Sequence, residues 1–240
     1  MNFTDKNTIG DVVAHDYRAA AVFKNHGIDF CCNGNRSIEE ACQEKNLDSR
    51  KLLDEIDEAF KNTGGGSIDF NSWPLDLLSD YIEKTHHRYT DQKISEIKPF
   101  LEKIVKVHGG AHPELARVEE LFGWAGGEMA KHMKKEELIL FPAIRRMVKA
   151  AISGEAMKQS PATSAGNSIE SLIDEHDSQG NAFKEMRKIT NDYTVPEDGC
   201  NTYKVTLAML EEFEDNLFQH IHLENNILFP KAIDLEKRLN

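Results

Sequence analysis

Cysteine is scarce in this sequence, with four residues in a chain of 240. A disulfide-stabilised scaffold needs a higher density of cysteine, and a common type of structural zinc site needs paired CxxC motifs. Neither pattern is present in the four cysteines, which are Cys31, Cys32, Cys42 and Cys200. We therefore predict that all four are reduced thiols.

An excess of positive charge is also missing. The formal net charge is −12 at pH 7, whereas a nucleic-acid-binding surface needs clustered lysine and arginine to replace phosphate counterions. No stretch approaches the roughly 18 apolar residues of a membrane span, and no basic segment leads into an apolar run near the N-terminus. These absences argue against nucleic acid and membrane as partners. They predict a globular cytoplasmic protein, for which a content of 40% hydrophobic residues is typical.

Patterns typical of β-strands are absent, and helical periodicity extends over nearly the whole chain. The first quarter predicts three short helices, of which the first spans "TIGDVVAHDYRAAAVFKNHG" with Thr8 as N-cap. The second is opened by Ser37 and the third by Asp48. The run "NTGGGS" that follows is typical of a flexible linker. We predict a small helical domain over residues 1–61 and a linker over residues 62–73.

Four longer helices are predicted after the linker. Pro74 suits the first position of the first long helix, and Pro99 is the point where this helix is expected to be disturbed. Each long helix needs neighbours to bury its apolar stripe, so four of them specify an antiparallel bundle. The predicted fold is all-α, with a four-helix bundle over residues 74–240 and a three-helix N-terminal domain. The expected helices cover about 74–107, 113–150, 167–191 and 200–239.

One motif occurs twice in the bundle. "HMKKEELILFP" begins at His132 and "HIHLENNILFP" begins at His220, and six of the eleven positions are identical. Glu136 and Glu224 lie four residues after these histidines, so each His–Glu pair projects from one helical face. The same faces carry apolar residues of both copies: Ile139, Leu140, Ile227 and Leu228. The pairs are therefore predicted to point into the core, where ionised carboxylates are costly unless cations compensate them.

The other two long helices also supply histidines. Helical periodicity predicts that His176 is buried. On the first long helix the spacing leaves His86 and His87 open, and the apolar positions Leu78 and Ile82 slightly favour His86. The two motif copies are 88 residues apart and His176 lies 89 residues after His87, so the positional repeat favours His87. We predict His87 on that basis.

These residues make a candidate dinuclear metal site. One histidine from each long helix and a glutamate from two of them supply four nitrogens and two carboxylates, and each carboxylate can bridge two cations. Zinc prefers closed four-coordinate sites and calcium prefers oxygen donors, so the mixed donor set favours two iron ions, with manganese as the second choice. The predicted ligands are His87, His132, Glu136, His176, His220 and Glu224.

The order and spacing of these motifs resemble the Repair of Iron Centres family, which comprises di-iron iron–sulfur cluster repair proteins with a hemerythrin-like bundle. The resemblance covers nearly the whole chain. The matching segments are "GIDFCCNG", "THHRY", "KVHGGAHPEL", "EMAKHMKKEELILFP", "DEHD" and "HIHLENNILFP". The resemblance implies that the same six residues bind iron, and that Glu136 and Glu224 bridge the ions together with an oxo or hydroxo group.

The sequence departs from respiratory hemerythrin at Gly180, where an oxygen carrier of that fold has an additional histidine. The resemblance therefore implies open coordination and loosely held iron. Glu128 and Glu175 either line an access path, orient a ligand or lie on a solvated face. His108 and His112 belong to the family pattern, but their loop position favours hydrogen-bonding roles over metal binding.

Two interpretations of Cys31 and Cys32 stay open. Neighbouring cysteines rarely form a disulfide with each other, and two thiols alone are an incomplete metal site. They are either small buried residues in a helical turn or, as the resemblance implies, thiols that exchange thiol, iron or nitrosyl groups with a client. Cys42 and Cys200 are expected to be structural.

Two classes of function follow. The resemblance implies repair of iron–sulfur clusters damaged by oxidative or nitrosative stress, through iron donation or nitric oxide handling, with damaged iron–sulfur proteins as partners. The alternative is a hemerythrin-like protein that binds or senses oxygen or nitric oxide. Gly180 and the cysteine pair favour repair. The sequence leaves open whether the di-iron site carries out redox chemistry on nitric oxide and whether the chain forms a homodimer.

Overall fold

The computed structural model describes residues 3–61, 68–154 and 165–239. These residues form eleven α-helices and no β-strand, which confirms the all-α prediction. None of the described helices is long and apolar enough to cross a membrane. The predicted linker run at residues 62–67 lies outside the described residues. The helices are α1 (Ile9–His15), α2 (Ala19–Asn25), α3 (Ile38–Lys45), α4 (Ser49–Lys61), α5 (Leu75–Tyr81), α6 (Arg88–His108), α7 (Leu115–Lys135), α8 (Phe141–Ser153), α9 (Ala165–Ile189), α10 (Asn201–Leu223) and α11 (Phe229–Leu239).

The N-terminal part has four short helices where the sequence predicted three. The expected first helix ends at His15 because Asp16 takes an extended conformation, with φ −153° and ψ 112°. The Asp16 carboxylate accepts hydrogen bonds from the backbone N–H and the guanidinium of Arg18, which stabilises this break. Thr8 and Ser37 cap α1 and α3 as predicted, since each side-chain oxygen accepts from the backbone N–H three residues later.

Four long helical segments form the bundle. A π-helical turn at Ile82–His87 joins α5 to α6, a second at Glu136–Leu140 joins α7 to α8, and a third at Glu224–Leu228 joins α10 to α11. The remaining long segment is α9. Because α6 packs against α7 while α5 packs against α8, the first two segments are antiparallel. Contacts of α10 with α6 and of α9 with α7 close the bundle.

The first long helix is irregular at a different place from the one expected. It continues through Pro99 inside α6, and Pro74 is its N-cap residue and not its first helical residue. The irregularity is the π turn at Ile82–His87, which ends 12 residues before Pro99. Short π turns inside α-helices are rare and occur frequently at functional sites.

The N-terminal helices and the bundle share a hydrophobic core. Phe23 and Phe30 are buried in the same cluster as Phe213 of α10, and α1 packs against the third π turn. A second cluster fills the part of the bundle around α5, α8 and α11. The division into a domain at residues 1–61 and a bundle at residues 74–240 stays a prediction.

Candidate metal centre

Side chains from all four long segments converge in the interior of the bundle. They come from the positions that the sequence singled out, and each is at most 1% exposed. Glu136 and Glu224 are the first residues of the second and third π turns, and His87 is the last residue of the first. The converging residues are His87, His132, Glu136, His176, His220 and Glu224.

The donor atoms form two groups, and within each group they all lie within 4.8 Å of one another. Both groups contain Glu136 and Glu224. The groups differ in their histidines, which are His87 and His220 in the first group and His132 and His176 in the second. The two carboxylates are therefore placed to serve two adjacent cations.

The second group has the spacing of ligands that share an ion. His132 Nε2 lies 2.9 Å from His176 Nε2, and His176 Nε2 lies 3.1 Å from Glu224 Oε2. Two donors bound at right angles, each about 2.1 Å from one ion, are about 3.0 Å apart. In the first group the distance from His220 Nε2 to Glu224 Oε1 is also 3.0 Å.

Three of the four histidines are oriented through their second ring nitrogen. Each Nδ1 donates to a side-chain oxygen, so the Nε2 lone pair points into the centre, as in metal-binding histidines. Sequence reasoning missed two of the acceptors, although each directly follows one of the shared glutamates. The pairs are His87 with Glu137 at 3.1 Å, His132 with Glu175 at 3.0 Å and His176 with Asn225 at 2.8 Å.

The electrostatics of the centre call for added positive charge. None of the four carboxylate oxygens of Glu136 and Glu224 has a hydrogen-bond partner among the described residues. Burial disfavours an imidazolium at His132, but the carboxylates of Glu136 and Glu224 outweigh it and raise the pKa of His132 to about 9. Protons on the histidines therefore compensate the carboxylates when no metal is bound, and a metal ion would replace those protons. The donor chemistry thus fits a metal site.

His86 lies outside both groups. Its Nδ1 lies 3.1 Å from Asn216 Oδ1, and its ring stacks on His220 at 5.7 Å between centroids. The geometry brings His87 to the centre instead.

His108 and His112 are also remote from the two groups. His108 Nε2 lies 3.2 Å from Cys200 Sγ, and His112 Nε2 lies 2.9 Å from Asp198. Cys200 was expected to be structural, but it is exposed. The backbone N–H of Tyr203 and the imidazole of His108 lower the pKa of Cys200 to about 7.

Glu128 and Glu175, for which the sequence left several roles open, have different surroundings in the structure. Glu175 orients His132 and also pairs with Lys135. Glu128 lies at the surface, where it pairs with Lys131 at 2.8 Å. Both carboxylates line a surface cavity of about 210 Å³.

The loop between α2 and α3, residues 26–37, is called the cysteine loop below and lies directly over the centre. Cys31 and Cys32 are free, and Cys31 is buried. A Cβ atom at Gly180 would lie 3.1 Å from Cys32 Sγ, so Cys32 fills the space beside the glycine. Asn225 Nδ2 donates to the carbonyl oxygen of Cys31 at 3.3 Å. One amide side chain therefore links the cysteine loop to a histidine of the second group.

Two parts of the chain match known families. Residues 5–60 match ScdA_N, described as a domain of unknown function (DUF542). Residues 79–232 match the hemerythrin HHE cation binding domain. The second match covers more than half of the chain and includes every residue of both donor groups.

Two named proteins are similar to this sequence over nearly the whole chain. The sequence is 32% identical to the iron-sulfur cluster repair protein ScdA of Staphylococcus haemolyticus (strain JCSC1435) over 228 residues, which are 95% of this chain and 98% of the relative. It is 34% identical to the iron-sulfur cluster repair protein YtfE of Yersinia pestis (strain Pestoides F) over 224 residues, which are 90% and 91% of the two chains. These similarities confirm the resemblance seen in the motifs. The chain belongs to the family of iron–sulfur cluster repair proteins in which a hemerythrin HHE cation-binding domain follows a ScdA_N domain.

Proposed function

We propose that the two donor groups bind two iron ions, and that the protein uses this iron to repair iron–sulfur clusters damaged by oxidative or nitrosative stress. The observation that carries the proposal is the sharing of Glu136 and Glu224 by both groups without a hydrogen-bond partner for any of their oxygens among the described residues. Buried carboxylates are costly without cations. Four histidines around two shared carboxylates favour iron over zinc and calcium.

The orientation of the imidazoles supports bound metal over a purely structural cluster. The Nδ1 atoms of His132 and His176 donate outward to Glu175 and Asn225, so their Nε2 lone pairs face each other at 2.9 Å. Two facing lone pairs repel unless a cation or a proton lies beside them. A metal ion bound by both nitrogens satisfies this need in the second group.

The protein's own residues would hold the imidazoles firmly, and the absence of a donor at one position would leave the iron releasable. The bundle excludes water from the donors, and Glu137, Glu175 and Asn225 hold the imidazoles in place. Gly180 supplies no donor to the second group, and Cys32 fills the adjacent space. When bound, the iron pair supplies redox-active metal that a client cluster can accept.

Repair fits the relatives better than oxygen or nitric oxide carriage does. The similar proteins of Staphylococcus and Yersinia are named iron-sulfur cluster repair proteins. The ScdA_N match of this chain, residues 5–60, contains the cysteine loop. We therefore take damaged iron–sulfur proteins as clients, with Cys31 and Cys32 as thiols that take part in exchange.

Transfer of iron to a client tests this proposal. The purified protein should contain about two iron ions per chain and should restore a cluster in an apo client protein. His132→Ala should abolish both properties, and His86→Ala should retain both because His86 lies outside the donor groups. A protein that contains a single zinc ion, or that keeps its iron in the presence of the client, contradicts the proposal.

The cysteines need a separate test. The double variant Cys31→Ser and Cys32→Ser should keep its bundle iron, since no thiol belongs to either donor group. It should lose repair, because serine cannot supply a thiolate at neutral pH. Unchanged repair together with a destabilised N-terminal part would assign the two cysteines to packing alone.

A further inference from the structure

The cysteine loop carries a third cluster of donor atoms outside the bundle centre. Asp29, Cys31 and Cys32 each offer one atom, and these atoms lie within 4.8 Å of one another. We propose that these three residues bind one thiophilic divalent cation and form a transfer site between the bundle iron and a client. The inference rests on the proposed function, because it assigns the step by which iron would leave or enter the bundle.

The distances within the loop suit a four-coordinate ion. Cys31 Sγ lies 3.7 Å from Cys32 Sγ and 3.3 Å from Asp29 Oδ1. A sulfur–sulfur distance of 3.7 Å is far too long for a disulfide, in which the bond is about 2.05 Å. Two thiolates bound to a tetrahedral ion, each at about 2.3 Å, are about 3.8 Å apart. The thiols are thus already at the separation that a shared ion requires.

The loop is held in this arrangement before any cation arrives. Asp29 Oδ1 accepts the backbone N–H groups of Cys31 at 3.1 Å and Cys32 at 3.0 Å. Asp29 Oδ2 accepts from Lys184 Nζ at 2.6 Å. Burial disfavours charge on Asp29, but Lys184 outweighs it and the pKa of Asp29 is about 2, so the carboxylate stays ionised at neutral pH.

Binding at the loop exchanges protons for metal without electron transfer. Burial raises the pKa of the Cys31 thiol, and the neighbouring Cys32 and Asp29 raise it further. The Cys31 thiol therefore keeps its proton. A divalent cation forms two metal–sulfur bonds, both S–H protons leave to solvent, and the Asp29 carboxylate completes a site with one negative charge from each of three donors.

The position of the loop makes it suitable for transfer. Cys32 Sγ lies 3.6 Å from the carbonyl oxygen of His176, whose side chain belongs to the second donor group. Three donors leave the fourth position of a tetrahedral ion open, as in sites that accept an incoming ligand. A surface cavity of about 120 Å³ is lined by Asp29, Cys31 and Lys184, and it connects the loop to solvent.

Cobalt titration of the iron-loaded full chain tests the site. Co²⁺ bound to thiolate has sulfur-to-metal charge-transfer absorption, and the bundle groups contain no sulfur. We expect one Co²⁺ per chain with this absorption, about half the absorption in Cys31→Ser or Cys32→Ser, and none in the double variant. Asp29→Asn should weaken Co²⁺ binding by about tenfold or more.

Matched controls separate the site from other thiols and from misfolding. The double variant Cys42→Ser and Cys200→Ser should keep the full absorption. Asp29→Asn keeps one oxygen that can accept the backbone N–H groups of Cys31 and Cys32 but loses the ion pair with Lys184, so it decides the matter, beside Lys184→Met as the control for that ion pair, if the cysteine variants fail to fold. Absorption that follows Cys42 or Cys200, unchanged affinity in Asp29→Asn, or no cobalt–thiolate absorption in the parent protein overturns the inference.

The bundle iron is counted in the same samples. If cobalt–thiolate absorption is missing while two iron ions and cluster repair persist, the loop site is wrong and the proposed function stands. A parent protein that lacks bundle iron contradicts the proposed function itself.

Discussion

The two copies of the repeated motif hold equivalent histidine and glutamate donors in different surroundings. In the first copy Glu136 is followed by Leu138 and Ile139, which are 73% and 54% exposed. In the second copy the equivalent positions are Asn226, which donates to the carbonyl oxygen of Phe30 at 3.1 Å, and Ile227, which is 1% exposed. The difference arises because, among the described residues, α1 and the cysteine loop pack against the second copy.

This difference shows how one repeated motif can serve a metal site with two unlike sides. The residue directly after the shared glutamate is Glu137 in the first copy and Asn225 in the second. Glu137 binds His87 and the exposed Lys134, whereas Asn225 joins a ligand histidine to the cysteine loop. The first side is bordered by charged surface residues and the second by the loop that carries the thiols.

The largest expected effect is common to both copies. His132→Ala and His220→Ala each remove one donor and leave buried carboxylates with less compensation. Either variant should lose iron, and its free energy of unfolding should fall by about 3–5 kcal/mol. Metal analysis and thermal unfolding measure the two effects, with His86→Ala as the control. Full iron content in both variants would contradict the ligand assignment.

The pH dependence should separate the two copies. The pKa of His132 is raised to about 9 in the folded, iron-free protein, whereas burial lowers the pKa of His220. Protonated His132 therefore stabilises the iron-free protein below pH 6.5, and this contribution of about 3 kcal/mol is lost as the pH rises through 9.

Under the proposed assignment iron would replace the proton on His132, so the iron-bound protein should not lose this stability. The difference in Tm between iron-bound and iron-free protein should widen from pH 6.5 to pH 9. In His132→Gln the iron-free protein should lose less stability over this range, and the remaining loss comes from His87, whose pKa is also raised by Glu136 and Glu224 against the effect of burial. A difference that narrows with rising pH would contradict the assigned protonation.

Substitutions of the two residues that directly follow the shared glutamates should differ in their effect on the cysteine loop. Glu137→Ala and Asn225→Ala each remove the acceptor for one ligand histidine, and each should weaken iron binding by about 10-fold to 100-fold. Only Asn225→Ala also breaks the bond to the Cys31 carbonyl oxygen. We expect faster alkylation of Cys32 in Asn225→Ala than in Glu137→Ala, and equal rates would show that the cysteine loop is not coupled to the centre.

The smallest expected effect is on the free energy of unfolding and concerns two equivalent isoleucines, the buried Ile227 and the exposed Ile139. Ile227→Val removes a buried methylene group and should cost about 1 kcal/mol of stability. Ile139→Val, at the equivalent exposed position, should change stability by less than about 0.5 kcal/mol. Chemical unfolding of both variants measures the difference. Equal losses would mean that the first copy is also covered in solution.

The sequence predicted which histidines converge in the bundle because helical spacing and the repeat act locally. Burial of Ile139 was also predicted from helical spacing, and this was wrong because its exposure depends on which copy the N-terminal part covers. The break at Asp16 depends on hydrogen bonds between its side chain and Arg18. The sequence of this segment has an ordinary helical pattern, so the break was not predicted. The link through Asn225 joins residues 194 positions apart, and no local pattern reports such a contact.

The central claim is that Glu136 and Glu224 hold two iron ions between the two histidine pairs. Anomalous diffraction at the iron absorption edge, from crystals of the protein as purified, tests it most directly. The account predicts two iron peaks in each chain, one beside His87 and His220 and one beside His132 and His176, with both glutamates bound to both ions. A single peak, or peaks at the edge of another metal only, would contradict it.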